Sequence, residues 1–145
     1  MPRTALLAPV LAFGLAFGLA SLASAEVVHF KTALTPAQEV PATNTHGSGA
    51  ADAKLDTATK TLTYKVTFKG LTGPATMAHF HGPAAPGANA PVLVSLGNNP
   101  KSPITGKAQL TDDQVKAFMD GQVYVNVHTA ANPGGEIRGQ MTRAK

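Results

Sequence analysis

The chain contains no cysteine and no tryptophan. The first absence removes disulfides, thiolate nucleophiles and thiolate metal sites together, so any bound metal would rest on nitrogen, oxygen or thioether ligands. The second leaves two tyrosines and six phenylalanines as the aromatic stock, too few to build an exposed platform for stacked bases. Charge is scarce as well, at 14% of residues with a net formal value of +4. Lys54, Lys60, Lys65, Lys69, Lys101, Lys107 and Lys116 are spread along the sequence without a dense basic run. Nucleic-acid binding is therefore not expected. Also missing are a Ser-His-Asp order, a paired-carboxylate motif and a phosphate loop. Gly47-Ser48-Gly49 lacks the strand-to-helix setting of a nucleophile elbow. No catalytic residue is assigned, and the chain reads more as a binder than as an enzyme.

The long hydrophobic run is confined to the N-terminus. Arg3 precedes an apolar stretch from Ala5 to Leu22, and Ala23-Ser24-Ala25 follows. A basic start, an apolar middle and an Ala-x-Ala site describe a secretory signal peptide over residues 1–25. The alternative is a retained membrane anchor, since the run approaches spanning length. With cleavage the mature protein runs from Glu26 to Lys145, is periplasmic or secreted, and keeps no membrane span. Its length suits one domain.

What remains is rich in period-two alternation. Val28–Leu34 reads as a strand that places His29 on its polar face, as an ordinary exposed histidine. Pro36 to Pro41 is expected to be extended, at an edge or in a loop. Thr43 to Gly49 is a loop carrying His46, either a solvated residue or a mobile additional ligand. Ala51, Ala53 and Leu55 alternate with Asp52, Lys54 and Asp56. Leu62, Tyr64, Val66 and Phe68 follow after a short turn, which predicts an antiparallel hairpin. Short strands are also expected at Val92–Leu96 and Ile104–Leu110. Thr111 with Gln114 forms a capping box, Asp112 and Asp113 suit a helix start, and Gly121 suits its stop. Val123, Val125 and Val127 form a second hairpin with Ile137, Gly139 and Met141, whose other face gathers Tyr124, Asn126, His128, Glu136, Arg138 and Gln140. The whole predicts an all-β protein, an antiparallel Greek-key-like β-sandwich or barrel with one short helix.

Within this pattern Met77-Ala78-His79-Phe80-His81-Gly82-Pro83 stands out. Alternation puts His79 and His81 on one face and Phe80 on the other. Two imidazoles together suit a metal better than a core, and Gly82-Pro83 ends the strand at a rim. Tyr124-Val125-Asn126-Val127-His128-Thr129 also ends a strand at a turn, so His128 could complete a three-nitrogen set. Met77 shares the face of the pair and is either a soft fourth ligand or simple packing. Asn126 and Glu136 are the candidates to orient His128, and Arg138 could steer an anion. Imidazole suits copper and zinc, with copper favoured and zinc less so.

Four segments carry a family resemblance: Leu34-Thr35-Pro36-Ala37-Gln38-Glu39-Val40-Pro41, Ala78-His79-Phe80-His81-Gly82-Pro83-Ala84, Tyr124-Val125-Asn126-Val127-His128-Thr129 and Gly134-Gly135-Glu136-Ile137-Arg138-Gly139-Gln140. Their order resembles the CHRD domain, named after chordin and found also in bacterial exported proteins, over residues 26–145. The resemblance implies an exported β-rich domain and leaves the activity open. In chordin the module belongs to a growth-factor antagonist, but this chain has no cysteine-rich modules beside it. Three functions remain. One is metal binding through His79, His81 and His128. Another is a non-catalytic cell-envelope module that contacts a protein or glycan. The third is a copper-dependent enzyme, since a His-x-His strand with a distant histidine is similar to the copper site of copper/zinc superoxide dismutases. That likeness lacks a zinc-type cluster and a disulfide.

Overall fold

The structure is a computed structural model that describes residues 24–145. The expected signal peptide lies outside the described residues apart from its last two. Among the described residues, no helix is long and apolar enough to cross a membrane.

Alternating sequences pair into two antiparallel sheets. Strands β1 (Val27–Leu34), β2 (Ser48–Asp56) and β3 (Thr61–Lys69) form a meander; β4 (Ala75–His81) and β5 (Val92–Asn98) form a hairpin elsewhere. Strand β6 (Ile104–Gln109) returns beside β3, so the path from β3 to β6 leaves one sheet, turns in the other and comes back, as a Greek key does. Helix α1 (Asp112–Met119) then leads to β7 (Tyr124–Thr129), β8 (Ile137–Gln140) and β9 (Thr142–Arg143). The first sheet has the order β6-β3-β2-β1-β9 and the second β5-β4-β7-β8.

Both hairpins read from the sequence are present: Ala53 opposes Tyr64, and Asn126 opposes Arg138. The helix carries the full capping box between Thr111 and Gln114, and Gly121 follows it at φ 69°. Two expectations change. The Pro36–Pro41 segment contains a 3-10 turn over Pro36–Gln38 where an extended chain was expected. Two backbone bonds between Thr35 and Arg138 tie this segment to the edge of β8. The last strand also breaks at Met141, so that Thr142–Arg143 joins β1 in the other sheet.

The core lies between the sheets. Phe118 from the helix inserts between Phe30 of the first sheet and Phe80 of the second, each at 5.5 Å between ring centroids and edge-to-face. Such pairs add about 0.5–1.5 kcal/mol beyond the area they bury. Leu62, Val66, Val125 and Ile137 are fully buried around them. Tyr64 and Phe68, which share the alternation of Leu62 and Val66 along β3, are only partly buried and pack at the margin.

Two faces point outward. That of the first sheet is open, whereas the loops Gly82–Pro91 and Ala130–Gly135 fold over that of the second. The polar residues beneath are buried.

Candidate metal centre

Strand register builds the site. On β4 and β7, Met77 opposes His128, His79 opposes Asn126 and His81 opposes Tyr124. The alternation that sends Ala78, Phe80, Val125 and Val127 into the core sends His79, His81, Asn126 and His128 out under the loops. One ligand atom from each of His79, His81 and His128 lies within 4.8 Å of the others. Nδ1 of His79 is 3.1 Å from Nε2 of His128. Two nitrogens at that separation, each about 2.0–2.1 Å from one ion, would subtend roughly 100°, close to tetrahedral. The widest gap must close by on the order of 1 Å for all three to bind at such a length.

The loops fix the ring orientations. His81 Nδ1–H donates to the carbonyl of Ala90 at 3.0 Å, and His128 Nδ1–H donates to that of Pro133 at 2.9 Å. These tautomers, assigned from the partners, leave a lone pair on each Nε2. Nε2 of His81 is buried and without a hydrogen-bond partner, and so is Oδ1 of the neighbouring Asn126. A buried imidazole nitrogen held with an unspent lone pair is what ligation requires. Burial, then the neighbouring His128 and His81, push His79 down to about 4. Burial lowers His81 and His128 too, against the opposing carbonyls of Ala90 and Pro133. All three rings are neutral near pH 7.

A stack supports His81 from behind. Its ring lies parallel to that of Tyr124, 4.8 Å away with 5° between the planes. The Arg138 guanidinium sits 3.4 Å above the tyrosine ring. Arg138 is 2% exposed and donates to Asn89 Oδ1 at 2.9 Å and to the Ala88 carbonyl. Loop 82–91 is thereby clamped by Arg138, by His81 and by Tyr124, whose hydroxyl donates to the Ala90 carbonyl at 3.3 Å.

The remaining expected residues fall in different places. Met77 is on the face of the pair, 37% exposed, beside His128. His46 is exposed in its loop and outside the three-histidine group, and His29 is exposed on the first sheet. Asn126 lies between the histidines and donates to the Gly134 carbonyl at 3.4 Å. Glu136, expected to orient His128, turns away from it. Its carboxylate accepts from the Thr72 amide at 2.9 Å, the Thr72 hydroxyl at 2.7 Å, the Thr129 hydroxyl at 2.6 Å and the Asn132 amide at 3.2 Å. Burial raises this carboxyl, but the donors outweigh it and hold it below its usual value. Glu136 thus fixes the loop whose Pro133 carbonyl orients His128.

Glu39 is the residue that sequence reasoning passed over. It is buried, with Oε1 unpaired. Burial pushes it up to about 7, against the pull of Arg138 and Asn126. Any side chain at Gly135, which has φ 126°, would run into Glu39 Oε1 and Asn126 Nδ2. Its sequence signals were an acid between two prolines and a place in the first of the four segments that carry the family resemblance.

The family model of the CHRD domain matches residues 30–141. Comparison with curated proteins and with solved structures finds no match.

Proposed function

Because the chain belongs to the CHRD domain family and gathers three neutral imidazoles on one covered face, we propose that it is an exported metal-binding protein. It holds one copper ion through His79 Nδ1, His81 Nε2 and His128 Nε2. The observation that carries this reading is the convergence of three nitrogens within 4.8 Å. Charge favours copper over zinc. The three ligands are neutral imidazoles, and no carboxylate belongs to the group. Burying a monovalent ion there costs much less than burying a divalent one, because the cost of desolvation rises steeply with charge. Met77, exposed beside His128, supplies a thioether of the kind that selects Cu(I). The protein is exported by cleavage after Ala25 and works in the periplasm or outside the cell.

Calorimetric titration of the metal-free protein with Cu(II), with Cu(I) under reducing conditions and with Zn(II) tests this. The expected result is one copper site, tighter than zinc and lost in a His79→Ala/His81→Ala double variant. Equal copper affinity for both proteins would refute it.

One observation favours a second reading. Two of the three histidines already donate to loop carbonyls, so the group could serve as a loop lock in a non-catalytic envelope module for a protein or glycan. Absence of copper binding would leave that role. Superoxide dismutation is not part of the proposal, since the Arg138 guanidinium is engaged by Asn89, Ala88 and Tyr124 and is not free to steer an anion.

A further inference from the structure

The outer face of the first sheet presents a different chemistry. Its pairings align His29, Lys54, Thr63 and Lys107 in one row across β1, β2, β3 and β6. The adjacent row is Lys31, Asp52, Lys65 and Thr105. All eight share the outward face, two positions apart along each strand. Each of the four strands contributes one lysine, and the lysines alternate between the rows. All four are exposed. The ion pairs among the described residues are Lys60–Asp112 and Lys116–Asp120, so none of the four is paired. Asp52 is the single carboxylate in either row. A groove of about 710 Å³ runs over this face, lined by Lys54, Lys65 and Lys107 among others. No described element covers it.

We propose that this groove binds a linear carboxylated polysaccharide that crosses the strands. Strands lie about 4.8 Å apart, comparable to the length of one sugar ring. A uronate chain laid in the groove across β2, β3 and β6 meets one ammonium group per sugar, from Lys54, Lys65 and Lys107 in turn. Because the lysines alternate between rows, the cations fall alternately on its two sides, where successive sugars of a two-fold chain place their carboxylates. Lysine, with no arginine, suits such a ligand: a chain of spaced single charges needs point cations and not the bidentate fork. A membrane surface fits less well. The groove is concave, and neither row carries a large apolar side chain to insert among headgroups. The site lies on the opposite side of the sandwich from the histidines and does not depend on metal.

Titration of the protein with an oligomannuronate, with a neutral mannan of equal length and with phosphatidylglycerol vesicles tests the proposal. Only the oligomannuronate is expected to bind. Its affinity should fall on the order of tenfold or more on a fourfold rise in salt, as neutralising several charges requires. A Lys54→Ala/Lys65→Ala/Lys107→Ala variant should lose at least about tenfold in affinity with unchanged thermal unfolding, since exposed substitutions rarely alter stability. The His79→Ala/His81→Ala variant should bind as well as wild type. Equal binding by the lysine variant, equal binding of neutral mannan, or binding of vesicles in place of the sugar would each overturn it.

Discussion

Acidification should set two buried groups against each other. His79 titrates near 6.5 when unfolded and at about 4 in the folded protein. Its contribution is intact above about pH 6.5 and is lost as pH falls toward 4, because the unfolded chain binds the extra proton. Glu39 runs the other way. It titrates near 4.5 when unfolded and at about 7 when folded, so it subtracts stability as pH rises through that window. Each displacement is worth about 3.4 kcal/mol at most. Between roughly pH 4.5 and 6.5 the two slopes nearly cancel, each about 1.4 kcal/mol per pH unit. His81 and His128, also lowered, tip the balance, so the wild-type protein should lose stability gently on acidification. Glu39→Gln removes the opposing slope. It should steepen the loss by about 1.4 kcal/mol per pH unit, close to 3 kcal/mol across the window. Urea unfolding of the metal-free protein at several pH values measures this. Parallel curves for wild type and variant, or a wild type that gains stability on acidification, would refute the reasoning.

The remaining expectations concern single side chains. Phe118→Ala should cost about 3–5 kcal/mol because the ring is buried between both sheets, whereas Phe68→Ala at the margin should cost clearly less; urea denaturation gives both. Glu136→Gln should weaken copper binding by about 10–100-fold in calorimetry without touching a ligand, because the loop bearing Pro133 loosens; unaltered affinity would sever that link. His29→Ala and His46→Ala should leave copper affinity unchanged, since both are exposed and outside the group. Mass spectrometry of the protein recovered from its host should find Glu26 at the N-terminus, and an intact Met1 would exclude cleavage.

Alternation made most of the architecture readable. A period of two tells which residues share a face, and it placed Val125 inside and His128 outside without knowledge of the partner strands. It could not say that loops would bury the outer face of one sheet and leave the other bare. For that reason Glu39, sealed over Asn126 by a distant segment, left no mark in the alternation. Glu136 obeyed the alternation on paper, yet it lies beyond the end of β8 and found its donors in Thr72, 64 residues away. Lys31, Lys54, Lys65 and Lys107 never form a run in the sequence. Only the register across four strands gathers them.

The 3.1 Å contact between His79 and His128 carries a kinetic consequence. His128 has spent its one proton on Pro133, so the hydrogen in that contact belongs to Nδ1 of His79. It occupies the place where copper would bond. Loading at Nδ1 would therefore require a prototropic shift: the hydrogen leaves Nδ1 while Nε2 of the same ring takes one up, directly or through solvent. The ring stays neutral, and no net proton is released to betray the event in a proton-release assay. The shift should instead register as a solvent isotope effect on the loading rate, slower in heavy water, with the final occupancy unchanged.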